Sequence, residues 1–316
     1  MIEWYKMKYT ESDMKMTERI PIPFRASEYV RIYTPLPDIY NGVDTEHFRS
    51  GMRYEDWITN DFSIVRDKNE WHIVGITHPR LPGFIDAFNY ADGDIHEAEY
   101  QLFHAKAHAK HFRELMRENS FSELPKILYP EDRTGERYEI WAPQIMKHDR
   151  FEIVYSPGSM HIAQTEDFKT FERRVLFDCD FSAARDPYTY EENGKFYCIY
   201  CDKCGISMRE SDDLIYWSEP ETISDGFNGT SCESPCLFKR GEYYYLLWSI
   251  YDGRNGAYDE RTFVYAAKDV HELSKYAPIT MIDAHAAEVV RDGDDYYLLS
   301  VFYPENGISA AKLEFK

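Results

Sequence analysis

Five stretches of the chain repeat one outline: a strand, a short polar turn, and a second strand rich in aromatic residues. They run over residues 61–74, 141–155, 185–200, 233–247 and 285–299. Two begin with an acid beside or near a proline, as Arg185-Asp186-Pro187 and Glu233-Ser234-Pro235. Asp61, Trp141, Asp186 and Glu233 each lie ten residues before the first aromatic of the strand that follows, Trp71, Phe151, Phe196 and Tyr243. In the fifth unit Ala286 holds that place before Tyr296, with His285 one residue earlier.

Strand units returning at intervals of roughly 40 to 50 residues point to propeller blades. The expected fold is therefore all-β, a five-bladed β-propeller with four-stranded antiparallel blades. It occupies one domain over 1–316, with an N-terminal lead-in at 1–55 and an insertion at about 80–130. A strand near 29–33 is expected to close the ring against the last blade. Equivalent positions on innermost strands converge at a propeller's axis, so Asp61, Asp186 and Glu233 are expected in one central opening. Crowded like charges are unfavourable, which packing alone has no reason to accept.

Composition narrows the partners. The 26 tyrosines and a 16% aromatic content suit a β-rich core and an aromatic-lined carbohydrate cleft. A net charge of −20 speaks against nucleic acid or an anionic membrane as partner. The first eight residues, Met1 to Lys8, carry charges where a signal peptide needs an apolar core. No run of 18 apolar residues occurs, so no transmembrane helix is expected and a cytoplasmic location is. Cys198, Cys201 and Cys204, with Cys232 and Cys236, have spacings a zinc site can use. Their place in aromatic strands favours buried thiols instead, and no metal is assigned.

His104, His108 and His111 would share one face of a helix, yet a strand ending in a charged loop fits the same residues. His104 is a candidate substrate contact. His78, at the end of a strand before Pro79, is a second.

The motifs resemble those of the five-bladed propeller glycoside hydrolases that include arabinanases, arabinofuranosidases, xylosidases, invertases and levansucrases. Asn60-Asp61-Phe62 matches the first blade, where proline commonly follows the acid. Trp141-Ala142-Pro143 resembles the second blade of the arabinan and xylan group. Arg185-Asp186-Pro187 matches the third, and Cys232-Glu233-Ser234-Pro235 the fourth, with Ser234 where glycine or cysteine is common. Asp44 is a competing first acid, but it precedes the repeat and is out of phase with it.

The resemblance implies Asp61 as nucleophile or general base, Asp186 as stabiliser of oxocarbenium-like charge, and Glu233 as general acid. These roles agree with the two carboxyl groups that glycosidic cleavage needs. Trp141 would offer a platform to a sugar face, and Arg185 would bind a hydroxyl or pair with an acid. His285 matches a fifth-blade histidine near the axis, in some members beside a bound ion. A structural ion near His285 is therefore one expectation, but no cofactor is required.

The implied substrate is a small carbohydrate with a terminal furanoside, α-L-arabinofuranoside ahead of β-D-fructofuranoside, with β-D-xyloside as an alternative. A propeller glycoside phosphorylase and a non-catalytic carbohydrate-binding propeller are the other readings.

Overall fold

A computed structural model describes the chain from Ile20 to Lys316, apart from 81–88, 91–92, 95–97, 131–138, 157, 180–183, 203–204, 226–230, 252–260 and 302–305. Five antiparallel sheets form the blades of a five-bladed propeller. Blade one is Trp57–Asp67, Glu70–Pro79, Gln101–His108 and Ser122–Ile127. Blade two is Trp141–Lys147, Phe151–Ser156, Met160–Thr165 and Glu172–Phe177. Blade three is Arg185–Glu192, Lys195–Asp202, Gly205–Ser211 and Glu221–Ser224. Blade four is Ser231–Arg240, Tyr243–Tyr251, Arg261–Ala267 and Thr280–Asp283. Blade five takes Glu288–Asp292, Asp295–Val301 and Ile308–Phe315 from the end of the chain and Pro23–Arg25 from its beginning. The first strand of each blade touches the first strands of its two neighbours, which makes those five strands the inner ring.

Each innermost hairpin forms for a local reason. A tight turn such as Asn193-Gly194, with φ of +55° and +81°, joins the acid-bearing strand to an aromatic one. Alternate side chains then enter the space between neighbouring blades, so the core is divided among the blade interfaces. Trp71, Phe103, Phe112 and Tyr297 pack between blades five and one. Ile199, Leu237, Trp248 and Phe263 fill the space between three and four.

The closing strand lies where the sequence places it. Val30–Tyr33 pairs with Ile308–Phe315, as does Pro23–Arg25 just before it. The seam is locked by the Arg66–Asp292 ion pair at 2.9 Å between blades one and five.

Several sequence expectations need correction. Residues 101–127 are not part of an insertion. They supply the third and fourth strands of blade one. His104 and His108 lie on a strand, with Ala105 and Ala107 alternating into the core, and the helical reading fails. Outer strands are hard to place from sequence in blades two and three: the apolar stretches 167–171 and 213–218 are turns, and the strands follow at Glu172–Phe177 and Glu221–Ser224. Asp167 and Asp213 accept backbone N–H groups in those turns, which holds the apolar residues beside them out of a strand. In blade four the outer strand Thr280–Asp283 comes after a 3-10 helix over Val270–Lys275.

Gly75 shows how tightly the second strand backs the axis. A Cβ there would meet Phe103, Phe62 Cβ at 2.7 Å and the Asp61 carbonyl oxygen at 2.9 Å. Gly75→Ala is expected to destabilise the protein by about 1–3 kcal/mol through overpacking. A thermal melt checks this, and an unchanged melting temperature would show that the strand yields without strain.

Candidate active site

Near its start, each inner strand of blades one to four carries a bulge. The pairing register shifts between Thr59 and Phe62, Trp141 and Gln144, Arg185 and Tyr188, and Glu233 and Cys236. Pro143, Pro187 and Pro235 sit in three of these bulges, where a missing N–H breaks no ladder bond. Ala142, Asp186, Ser234 and, in the fifth blade, Ala286 take left-handed φ of +41°, +57°, +51° and +48°. The bulges converge on an axial cavity lined by residues that include Asp61, Ala142, Asp186, Ser234, Ala286 and Glu288.

The equal ten-residue phase does not survive as structural equivalence. Relative to the bulge, Glu233 comes before it, Asp186 is its first residue and Asp61 its second. Blade one's inner strand runs one residue longer from bulge to turn, Phe62 to Asp67 against Tyr188 to Glu192 and Cys236 to Arg240. The three acids nevertheless enter one network. Ser234 Oγ donates to Asp61 Oδ1 at 2.6 Å, and Ser234 N donates to Asp186 Oδ2 at 3.1 Å. Arg185 places Nε 3.5 Å from Asp186 Oδ2 and Nη2 3.3 Å from Glu233 Oε1. Asp186 and Glu233 therefore lie within the span of one guanidinium group. Arg185 Nη2 also donates to the Cys232 carbonyl at 3.0 Å.

Burial dominates the electrostatics. It pushes Asp61 up to about 7, with the Asp186 charge adding to it and the Ser234 hydrogen bond opposing it. Burial likewise pushes Glu233 up to about 8, against the pull of Arg185 and with the help of the Asp186 and Asp61 charges. At neutral pH such a site can hold a proton on Glu233 while Asp61 ionises.

The remaining sequence candidates divide by position. Trp141 occupies the ladder position before its bulge, opposite Ser156, as Arg185 and Glu233 do in their blades. His285 is buried beside Ala286, with its backbone N–H donated to Ser300 Oγ at 2.9 Å. His78 is buried on the second strand of blade one, opposite Ile58, with Nδ1 2.8 Å from the Pro79 carbonyl. His104 is not brought to the carboxylates. It lies on the third strand, 2.9 Å from His72 and stacked on Phe168. Asp44 is also elsewhere, accepting Ser50 N at 2.7 Å in an exposed loop.

Among the described residues no group of three His, Cys, Asp or Glu is arranged to hold a metal, at His285 or elsewhere. Cys198, Cys201, Cys232 and Cys236 are buried free thiols, and Cys204 lies outside the described residues.

Sequence reasoning missed Glu288, and it read Cys201 only as a buried thiol. Glu288 opens the paired part of the fifth inner strand two residues after the left-handed Ala286, as Gln144, Tyr188 and Cys236 follow Ala142, Asp186 and Ser234, and burial raises its carboxyl well above the usual range. Its signal was an acid inside an otherwise apolar stretch, Ala286-Ala287-Glu288-Val289. Cys201 Sγ donates to Asp186 Oδ2 at 3.6 Å, which no local pattern reveals.

Solved structures share this architecture. A thermostable family-43 glycoside hydrolase is 14% identical, with 82% of this chain and 89% of that chain covered at a TM-score of 0.58. An exo-1,5-α-L-arabinanase from a bovine ruminal metagenomic library is also 14% identical, covering 82% and 92% at 0.58. A levansucrase mutant from B. megaterium is 12% identical, covering 97% and 92% at 0.58. The chain has the five-bladed propeller fold of these hydrolases. No protein-family model matches the sequence, and no curated protein does.

Proposed function

We propose that the protein is a glycoside hydrolase that releases terminal furanosides, foremost α-L-arabinofuranoside, from short oligosaccharides. The observation that carries this reading is the network joining Asp61, Asp186 and Glu233 through Ser234 and Arg185. Glu233 is the general acid, protonated at neutral pH because it is buried. Asp61 is the nucleophile or base, and Asp186 faces the developing positive charge. Trp141 and His285 are assigned to sugar binding from their places just before the left-handed Ala142 and Ala286 at the axis. The exo-arabinanase and an endo-arabinase from Bacteroides thetaiotaomicron among the structural neighbours support the arabinan side.

A phosphorylase would need cations for phosphate. Arg185 is engaged by Asp186, Glu233 and the Cys232 carbonyl, which favours hydrolysis.

A panel of arabinofuranosides, fructofuranosides and xylosides, with products followed over time, tests the proposal. Phosphate-independent release of arabinose from chain ends is expected. Efficient cleavage of a pyranoside alone would reject the furanoside assignment, and internal cleavage of a long polymer would reject the exo mode. Binding without turnover across the panel would reject hydrolysis.

A further inference from the structure

We propose that Ser234 is a positioning residue for this hydrolysis, holding Asp61 through its hydroxyl and Asp186 through its backbone amide. The inference rests on the hydrolase reading and deepens it.

Three observations converge on Ser234. Its Oγ–Asp61 Oδ1 distance of 2.6 Å is at the short end for a hydroxyl bound to a carboxylate. Its φ of +51° is one that glycine adopts without strain, so backbone conformation gives no reason for a serine. The third observation comes from comparing blades. Ser156 and Ser249, opposite Trp141 and Glu233, accept the N–H of the left-handed residue of the next blade, from Asp186 at 3.4 Å and Ala286 at 3.1 Å. In blade three the corresponding residue, opposite Arg185, is Cys201. The Ser234 N–H goes instead to the Asp186 carboxylate, and the Cys201 thiol donates to the same oxygen. A structural cap found in two other blades is thus replaced here by two donors aimed at a carboxylate.

The hydroxyl also acts on the charge of Asp61. The charged and titratable groups around Asp61 are Asp186 and Arg185 of blade three, Glu233 of blade four, Glu288 of blade five, and Glu99. The Asp186 and Glu99 charges oppose ionisation of Asp61, Arg185 and the Ser234 hydroxyl favour it, and the Asp61 charge in turn raises Glu233 and Glu288. With Oδ1 held, the carboxylate cannot rotate freely, and its other oxygen is the one left to act on sugar or water.

The test uses Ser234→Gly and Ser234→Cys in the full chain. Glycine removes the hydroxyl, keeps the amide and relieves the left-handed backbone. Cysteine keeps a weaker donor. Two quantities are measured: the pH profile of kcat/KM on the best furanoside, and the titration of Asp61 by carboxyl carbon-13 NMR, assigned with Asp61→Asn. The acid limb and the Asp61 titration are expected to move together to higher pH in the order Ser, Cys, Gly, by on the order of one pH unit for glycine. The glycine variant is expected to melt no lower than the wild type. If melting changes while limb and titration stay in place, Ser234 is structural and the proposal is overturned. If the titration moves but the wild type cleaves no glycoside, the hydrolase reading fails and leaves no reaction for Ser234 to serve. A titration that stays in place in an active enzyme sinks the inference alone.

Discussion

Glu233→Gln is expected to reduce cleavage of a glycoside with a poor leaving group by roughly 10²–10⁴-fold, the usual worth of general-acid catalysis. The substitution keeps size and shape, and Arg185 can still donate to the amide oxygen, so the fold is expected to persist. A glycoside with a strongly activated leaving group needs little protonation and is expected to lose far less. The pH profile gives a second signature. Glu233 is pushed up to about 8 by burial, so the acid is present below that pH and lost as pH rises through it. The wild-type alkaline limb is assigned to this group, and it is expected to vanish from the residual activity of the glutamine variant. Equal rates for wild type and variant on both substrates would remove Glu233 from the role of acid.

Asp61→Asn is expected to impair both kinds of substrate, again by roughly 10²–10⁴-fold or more, because neither tolerates loss of the nucleophile or base. Asparagine can still accept the Ser234 hydroxyl through its carbonyl oxygen. It also removes a buried charge that Asp186 opposes, so the melting temperature is expected to hold or rise. Kinetics on paired substrates and a thermal melt check the two halves separately. Near-normal turnover of the activated substrate would exclude Asp61 from the chemistry. The anomeric configuration of the first sugar released by the wild type then decides between nucleophile, with retention, and base, with inversion.

The five inner hairpins were legible because their signals are local: a turn at Asn193-Gly194 or Gly241-Glu242 followed at once by Lys195-Phe196-Tyr197 or Tyr243-Tyr244-Tyr245. The outer strands were not. Glu172–Phe177 and Glu221–Ser224 carry exposed polar residues and no strong alternation, while Asp167-Phe168 and Asp213-Leu214 put apolar residues into turns. Blade one hid its outer half because a long connection after Pro79 broke the spacing, and His104, His108 and His111 happened to match a helical period. The acids were found in the right order, but their common phase was a coincidence of a longer strand in blade one and of an aromatic one place earlier, Tyr243, in blade four. Only the bulges, which depend on pairing with the second strand, show that Glu233, Asp186 and Asp61 occupy three successive places. Ser234 was visible as a departure from glycine or cysteine. Its meaning needed Asp61, which is 173 residues away in the chain.

The seam of the propeller also governs the order of folding. Ile308–Phe315 is held between Asp295–Val301 on one side and Pro23–Arg25 with Val30–Tyr33 on the other. During synthesis the early segment therefore waits until residues 308–315 have left the ribosome, while blades two to four can pair from contiguous chain. Closing a loop between such distant segments carries an entropy cost that local pairing does not, so ring closure is the slow event expected of this topology. Until then blades one and five expose the interface that Trp71, Phe103 and Tyr297 later fill. Nascent chains stalled before residue 308 would display that apolar face to chaperones and to one another.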